Sequence, residues 1–482
     1  MDDNVMSVLQ MLQDGKISAH EAETLIAALR GETTTAADAA EEKAKSEQKA
    51  DKEKQDKEDK SFFGGFEFDK MKPSKEKFDD IGEKISQAVG RVQPEKIVRR
   101  LQLELRKATR AGSHWSSSVS SRVRNWTEGE DARPQNLTGL PEHTENYEQE
   151  FHLEAQAKVY VENPLGNVKV TGIDDGPAVV VVSKVAWSDR ADEVKTTAAK
   201  IEITMQGTDG RLDVKVSAPD MFREGTVDLE LRVPRFVGNV RVNSHFGNVE
   251  LAELDNLAEG VTTSGDLNLH DLRGDARGET MSGDLNLANI TGAATVATQS
   301  GDIHAEHIGR GLSANTASGD VSASHLEGGR IECKSVSGDV KVEQVGANAP
   351  LDVVVESISG DATLKDASGN IAIKAVSGDV HASELTATRL QAQTVSGDVE
   401  LQLREAFSST MQINTVSGDV KVSIPEGSNV RLSLSTTSGD LRCEHDATAV
   451  TATETLWTGQ IGTGAGTLNV QSISGDAHIL RA

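Results

Sequence analysis

Ser264-Gly265-Asp266-Leu267-Asn268-Leu269 returns 18 residues later as Ser282-Gly283-Asp284-Leu285-Asn286-Leu287. The phrase Ser-Gly-Asp then restarts at Ser300, Ser318, Ser337, Ser359, Ser377, Ser396, Ser417, Ser438 and Ser474. The steps between successive serines are 18, 18, 18, 19, 22, 18, 19, 21, 21 and 36 residues. Phe246-Gly247-Asn248 stands one step upstream of Ser264, and Thr458-Gly459-Gln460 reads as a worn copy inside the last, double-length step. A fixed period of this length, repeated so often, is the signature of a solenoid.

The interior of one repeat tells which solenoid. Leu267 and Leu269, Leu285 and Leu287, Val340 and Val342, and Val420 and Val422 alternate with polar residues, which is the strand period. A third apolar residue follows at Leu272, Ile290, Ile308, Leu326 and Val345. Ser368-Gly369-Asn370 falls midway between Ser359 and Ser377, so each coil divides into two halves of strand plus corner. The corner glycines are Gly265, Gly283, Gly301, Gly319, Gly338, Gly360, Gly378, Gly397, Gly418, Gly439 and Gly475. Glycine suits a corner because it tolerates positive φ. Strands stacked at ~4.8 Å would bury together a stripe that no single coil can bury alone. The expectation is a mainly β chain: a right-handed parallel β-helix, or β-solenoid, of about 18-residue coils, with α-helical segments before it.

Charge narrows the partners. The chain has 50 Lys and Arg against 76 Asp and Glu, a net charge of −26. From Phe246 onward, 14 basic and 32 acidic residues leave −18. Such a rod repels phosphate backbones, which argues against nucleic acid as its partner. Both cysteines, Cys333 and Cys443, fall in inward-facing columns and read as structural thiols. The first residues, Met1-Asp2-Asp3-Asn4, lack a secretory signal's apolar core, and no 18-residue apolar run occurs. The expected address is cytoplasmic or peripheral to the membrane.

Upstream of the repeats, the chain divides into segments. Residues 1–30 read as a helical hairpin module: Val5, Val8, Leu9 and Leu12 form one stripe, and Ala22, Leu25, Ile26 and Leu29 the other. Ser18 with Glu21 makes a capping box for the second helix. So small a pair needs a surface to dock on, so residues 4–30 are expected to bind a protein partner or another copy of themselves. Residues 31–60 are a charged linker without apolar residues enough to fold.

Residues 61–130 form a basic amphipathic segment inside an acidic protein. Phe62, Phe63, Phe66 and Phe68 cluster around Gly64-Gly65, and Trp115, Val119, Val123 and Trp126 lie at helical spacing beside Arg122 and Arg124. These residues suit either an anionic membrane surface or a partner, and equally a structural cap on the rod. Residues 150–245 are β-rich but off the repeat and read as the N-terminal cap of the solenoid, which then occupies 246–482. A short helix is expected over 189–199. Thr208-Asp209-Gly210 is expected to turn a hairpin between Ile201–Met205 and Leu212–Val216.

Two stretches carry a resemblance. Leu12-Gln13-Asp14-Gly15-Lys16-Ile17-Ser18 with Glu21-Ala22-Glu23 resembles the short helical, SHOCT-like module at the front of bacterial YvlB-like and LiaX-like proteins. Gly166-Asn167-Val168-Lys169-Val170 and the Ser-Gly-Asp series resemble the bacterial adhesin-type β-strand repeat family, DUF4097, found in the same proteins. The resemblance covers roughly 150–482 and implies the solenoid fold. It also implies a setting in cell-envelope stress, with surface exposure open, and no particular chemistry.

The residues themselves offer little catalytic chemistry. Between 247 and 482 the only aromatics are Phe407 and Trp457, too few for the aromatic-lined groove of a carbohydrate-active β-helix. The repeated Asp suggests calcium, but it lies directly before a strand, where capping backbone N–H groups suits it better. His307 and His325 share one column with Asp271 and Asn289. Two histidines alone do not make a metal site. Arg273-Gly274-Asp275 spells an adhesion tripeptide, which a Gly-rich acidic repeat also produces by chance. The reading is a non-enzymatic scaffold or sensor at the cell envelope, without cofactor or metal. The alternative is a self-assembling structural rod, suggested by the strand-like end His478-Ile479-Leu480; a metal-binding or carbohydrate-active β-helix ranks below both.

Overall fold

Alternation decides which side chains enter the core. In Leu267–Leu272 the side chains of Leu267, Leu269 and Leu272 are fully buried, and the polar residues between them face outward. The computed structural model describes residues 140–219, 222–347 and 349–482. There the chain winds as a two-faced β-solenoid. One face is built from the strands that follow Ser-Gly-Asp, the other from the strands that lead up to it.

Through the repeats both faces are parallel, and the register shifts only at Gly369/Asn370 and Ala382/Leu385 within the pairs traced next. On the first face Leu267 stacks on Leu285, Ile303, Val321, Val340, Ala362, Val380, Val399 and Val420 in turn. On the second face Ala276 stacks on Ala294, Leu312, Ile331, Val353, Ile371, Leu390 and Met411. A one-residue slip would turn every buried aliphatic outward, so the register is held by the core itself. The faces also fit each other: at Gly278 an added Cβ would stand 2.6 Å from Leu267 Cδ2.

The stack begins earlier than the first Ser-Gly-Asp. Lys158–Asn163 and Val168–Ile173 form a coil that pairs in parallel with Asn239–Ser244 and Val249–Ala252. Between those coils the chain makes an excursion that closes this end. Ala178–Trp187 runs antiparallel to both Gly225–Pro234 and Glu142–Phe151. The expected hairpin is present, Glu202–Thr208 against Arg211–Ser217. The helix is shorter than expected, Val194–Ala199. The outer strand Glu142–Phe151 carries Glu142, Glu145, Glu148 and Glu150, charges of the kind that discourage a further strand from adding.

The other end departs from the sequence reading in two ways. Thr458-Gly459-Gln460 is not a coil corner: it lies within Leu456–Ile461, an antiparallel strand between Val430–Ser435 and Thr448–Ala452. Nor is the C-terminus an uncovered edge. Ala477–Arg481 sits between Val420–Ile424 and Leu441–Cys443, and Gly466–Gln471 sits between Thr410–Asn414 and Val430–Ser435. The last coil of the sequence is thus inserted beneath the coil that precedes it. The expectations for residues 1–30, 31–60 and 61–130, including the Phe62–Phe68 cluster and the Trp115–Trp126 stripe, lie outside the described residues.

Candidate functional site

Each coil turns twice, and both corners form continuous columns of polar groups along the stack. At the Ser-Gly-Asp corner, the N–H of Asp284 donates to Oδ1 of Asp266, and that of Asp302 to Asp284. The ladder continues from coil to coil through Asp320, Asp339, Asp361, Asp379, Asp398 and Asp419. It then passes to Asp476 and ends at Asp440, following the inserted coil rather than the sequence. Asn167 and Asn248 extend it at the other end, where Asn167 Oδ1 accepts the N–H of Asn248. One oxygen of each of these aspartates up to Asp476 is therefore spent on the next coil's backbone.

A second ladder in the same corner was not anticipated from sequence. The hydroxyl two residues before the serine donates to the glycine carbonyl of a neighbouring coil: Thr280 to Gly265, Thr298 to Gly283, Thr316 to Gly301, and Ser335 to Gly319. The signal was present as Thr or Ser at 262, 280, 298, 316, 335, 357, 394, 415, 436 and 472, with Ala375 the exception. The close approach of coils explains the glycines. A Cβ on Gly283 would overlap the carbonyl oxygen of Gly265.

The opposite corner opens with a left-handed residue that is not glycine. Glu253, Asp271, Asn289, His307, His325, Gln344, Asp366 and Glu384 all adopt φ between 53° and 57°. This left-handed turn tucks in the third apolar residue, such as Leu272, Ile290 or Ile308, all buried. Asn, Asp and His are the non-glycine residues that tolerate it best.

The side chains of this column carry acids, amides and histidines. Asn289 Nδ2 donates to Asp271 Oδ1 at 2.9 Å, and His270 Nδ1 lies 2.9 Å from Asp271 Oδ2. His270, then Asn289, hold the Asp271 carboxyl below the usual range. The His307 and His325 rings are stacked, 4.4 Å between centroids and 11° apart in plane. Glu306 Oε1 stands 3.4 Å from His307 Nδ1 and 3.8 Å from His325 Nδ1. Arg404 reaches both Asp366 and Glu384. Two shallow cavities open along the column, one of about 350 Å³ beside Arg235, Asp271 and Asn289, the other of about 400 Å³ beside Glu384 and Arg404.

Arg273-Gly274-Asp275 is built into the stack: Arg273 pairs with Asp255 at 3.3 Å, and Asp275 Oδ1 accepts the N–H of Ala293. Phe407 is buried and Trp457 packs against the core. Cys333 is fully buried, and burial, then Glu332, push its thiol up to about 12. Cys443 is only half-buried, because Leu441–Cys443 is the outermost strand of its face. On the outside of the second face, burial alone would raise the Glu356 carboxyl, but Lys334 and Lys374 outweigh it and hold it low. Glu279, on the same surface, is pushed up to about 6 by burial and by Glu259. No helix among the described residues is long and apolar enough to cross a membrane.

Comparison with known proteins places this architecture. The family model described as Toastrack DUF4097 matches residues 140–309, 295–412 and 408–480, and a SHOCT-like domain model matches residues 3–33. A candidate cell adhesion protein from Clostridium sporogenes is similar over 70% of this chain and 100% of its own, at 9% identity and a TM-score of 0.15. A candidate lipid binding protein from Parabacteroides distasonis covers 72% and 98%, at 12% identity and a TM-score of 0.23. A candidate adhesin from the same organism covers 70% and 97%, at 11% identity and a TM-score of 0.17. A search of the curated proteins finds no match. The successive family matches run through the whole described stack, and the chain belongs to the Toastrack DUF4097 family.

Proposed function

We propose that this protein is a non-enzymatic scaffold of the bacterial cell envelope, in which the solenoid is the platform and the N-terminal segments make the contacts. The observation that supports this most is how the repeat's polar groups are used. The aspartates and the Thr or Ser hydroxyls of the Ser-Gly-Asp corner bind neighbouring coils, which builds a stiff rod. The division of labour follows the segments: residues 4–30 dock on a protein partner or a second copy, 31–60 tether them, and 61–130 lie against an anionic membrane. Family resemblance favours an envelope-stress setting. End-to-end polymerisation is less favoured, since antiparallel strands close the second face at both ends.

Electrostatics favours the basic segment for the membrane contact. The rod, at −18 from Phe246 onward, is repelled by anionic lipid. Each Lys or Arg near such a surface contributes ~1 kcal/mol, and the Trp115 and Trp126 face adds apolar burial. Full-length protein should pellet with phosphatidylserine-containing vesicles, less so at high salt, and less again with Trp115→Ala and Trp126→Ala. A chain beginning at Leu140 should stay in solution. If that shortened chain pellets as well as the full one, the membrane contact does not lie in the N-terminal segments.

A further inference from the structure

The stacked histidines have a third donor beside them. Glu306 and His307 share the strand Ile303–Ile308, and His325 occupies the place of His307 on the next coil, where Ile308 pairs with Leu326. Their φ values of 57° and 54° set the two side chains leaving the backbone in the same direction. The potential ligand atoms of Glu306, His307 and His325 all lie within 4.8 Å of one another.

Coordination geometry can be compared with these distances. Ligands ~2.1 Å from a tetrahedral metal stand ~3.4 Å apart. The Glu306 carboxylate is already 3.4 Å from one Nδ1 and 3.8 Å from the other. Only the two rings need to close on each other. Both are about half exposed and can rotate to do so. His325 Nδ1 also lies 3.4 Å from Ser324 Oγ, a weak contact that a metal would replace.

We propose that Glu306, His307 and His325 form a binding site for a transition-metal dication of the zinc class, held across two successive coils. Two imidazoles and one carboxylate select zinc, copper(II) or nickel(II) over calcium and magnesium, which prefer oxygen ligands. The exposed side leaves a coordination position to water. His307 and His325 are 18 residues apart and converge only through stacking. The metal therefore binds the folded coil pair in preference to the unfolded chain and stabilises it.

The test uses full-length protein with cobalt(II) and zinc(II) chloride. Cobalt should give a saturable tetrahedral d–d spectrum at one equivalent, displaced by zinc. Zinc, but not calcium, should raise Tm by several degrees. His307→Asn and His325→Asn should each abolish the spectrum. Asn289 occupies the same column, so Asn keeps the backbone conformation. Glu306→Gln should weaken binding by at least roughly tenfold, since losing a ligand costs more than losing a partner behind one, and His304→Asn should leave it unchanged. Binding by the parent should weaken in acid, because protons compete with the metal for the imidazole nitrogens. The proposal is overturned by the lack of a one-equivalent cobalt spectrum in the parent. It is equally overturned by binding that survives His307→Asn with His325→Asn, or that persists unchanged at pH 5.

Discussion

Gly283 shows how closely the coils approach at the Ser-Gly-Asp corner. Its φ lies outside the left-handed region, so the need for glycine comes from Gly265, whose carbonyl oxygen occupies the space of a Cβ. Gly283→Val should therefore force two coils apart and cost at least the ~1–3 kcal/mol of an overpacked core. A thermal melt that matches the parent would contradict the close approach. Glu279 offers a second test, through pH. Its carboxyl titrates at about 6 in the folded chain against an ordinary 4.5, so the folded state holds the proton more tightly. Stability should then fall as pH rises from about 4.5 through about 6 and level off above. Glu279→Gln should be more stable than the parent at pH 8, by on the order of 1–2 kcal/mol, and no different at pH 4. Denaturant melts at the two pH values check this; equal stability at both would remove the burial cost assigned to Glu279.

One element of this solenoid is a strand pair with its two corners, and the hydroxyl ladder is what ties one corner to the next. Thr298 is fully buried and donates to Gly283 O at 3.3 Å. Thr298→Val keeps the shape and removes the donor, which should lower stability by ~1–2 kcal/mol. Chemical denaturation measures it, and an unchanged midpoint would mean the hydroxyl contributes nothing. Ala375 is the natural counterpart, a buried position in the same column with no hydroxyl. Ala375→Ser should move stability the opposite way, by ~0.5–1 kcal/mol, if the new oxygen reaches Gly360 as Ser357 reaches Gly338.

For the whole stack, the inserted C-terminal coil matters most. Gly466–Gln471 and Ala477–Arg481 pair on both sides, so they connect Thr410–Ile424 to Val430–Cys443. A chain ending at Gly464 would lose the ladders on both sides of that coil, not only an outer one. It should expose the parallel edges of Thr410–Asn414 and Val420–Ile424, and such edges invite pairing between molecules. The expected outcome is early loss of hydrogen-exchange protection over 430–461, with self-association in light scattering. A shortened chain that stays monomeric and protected there would mean the inserted coil is dispensable.

What the sequence determined by itself is the coil. Alternation in Leu267-Asn268-Leu269, the repeated Ser-Gly-Asp and the step of 18 residues specify strands, corners and parallel stacking, because each is local and repeated many times. The aspartate's capping role was legible for the same reason. The hydroxyl ladder was present in the letters as well, but its meaning depends on a carbonyl of a neighbouring coil. Tertiary structure alone decided the rest. Any Ser-Gly-Asp coil can stack on any other, so only the folded chain shows Asp476 between Asp419 and Asp440. A lone Thr458-Gly459-Gln460 resembles a corner until its antiparallel partners are seen. The left-handed corner carries different residues from coil to coil, Glu253 to Glu384, so no motif announces it. Glu306 joins His307 and His325 only because stacking brings donors from two coils together, a distance that no spacing along the chain encodes.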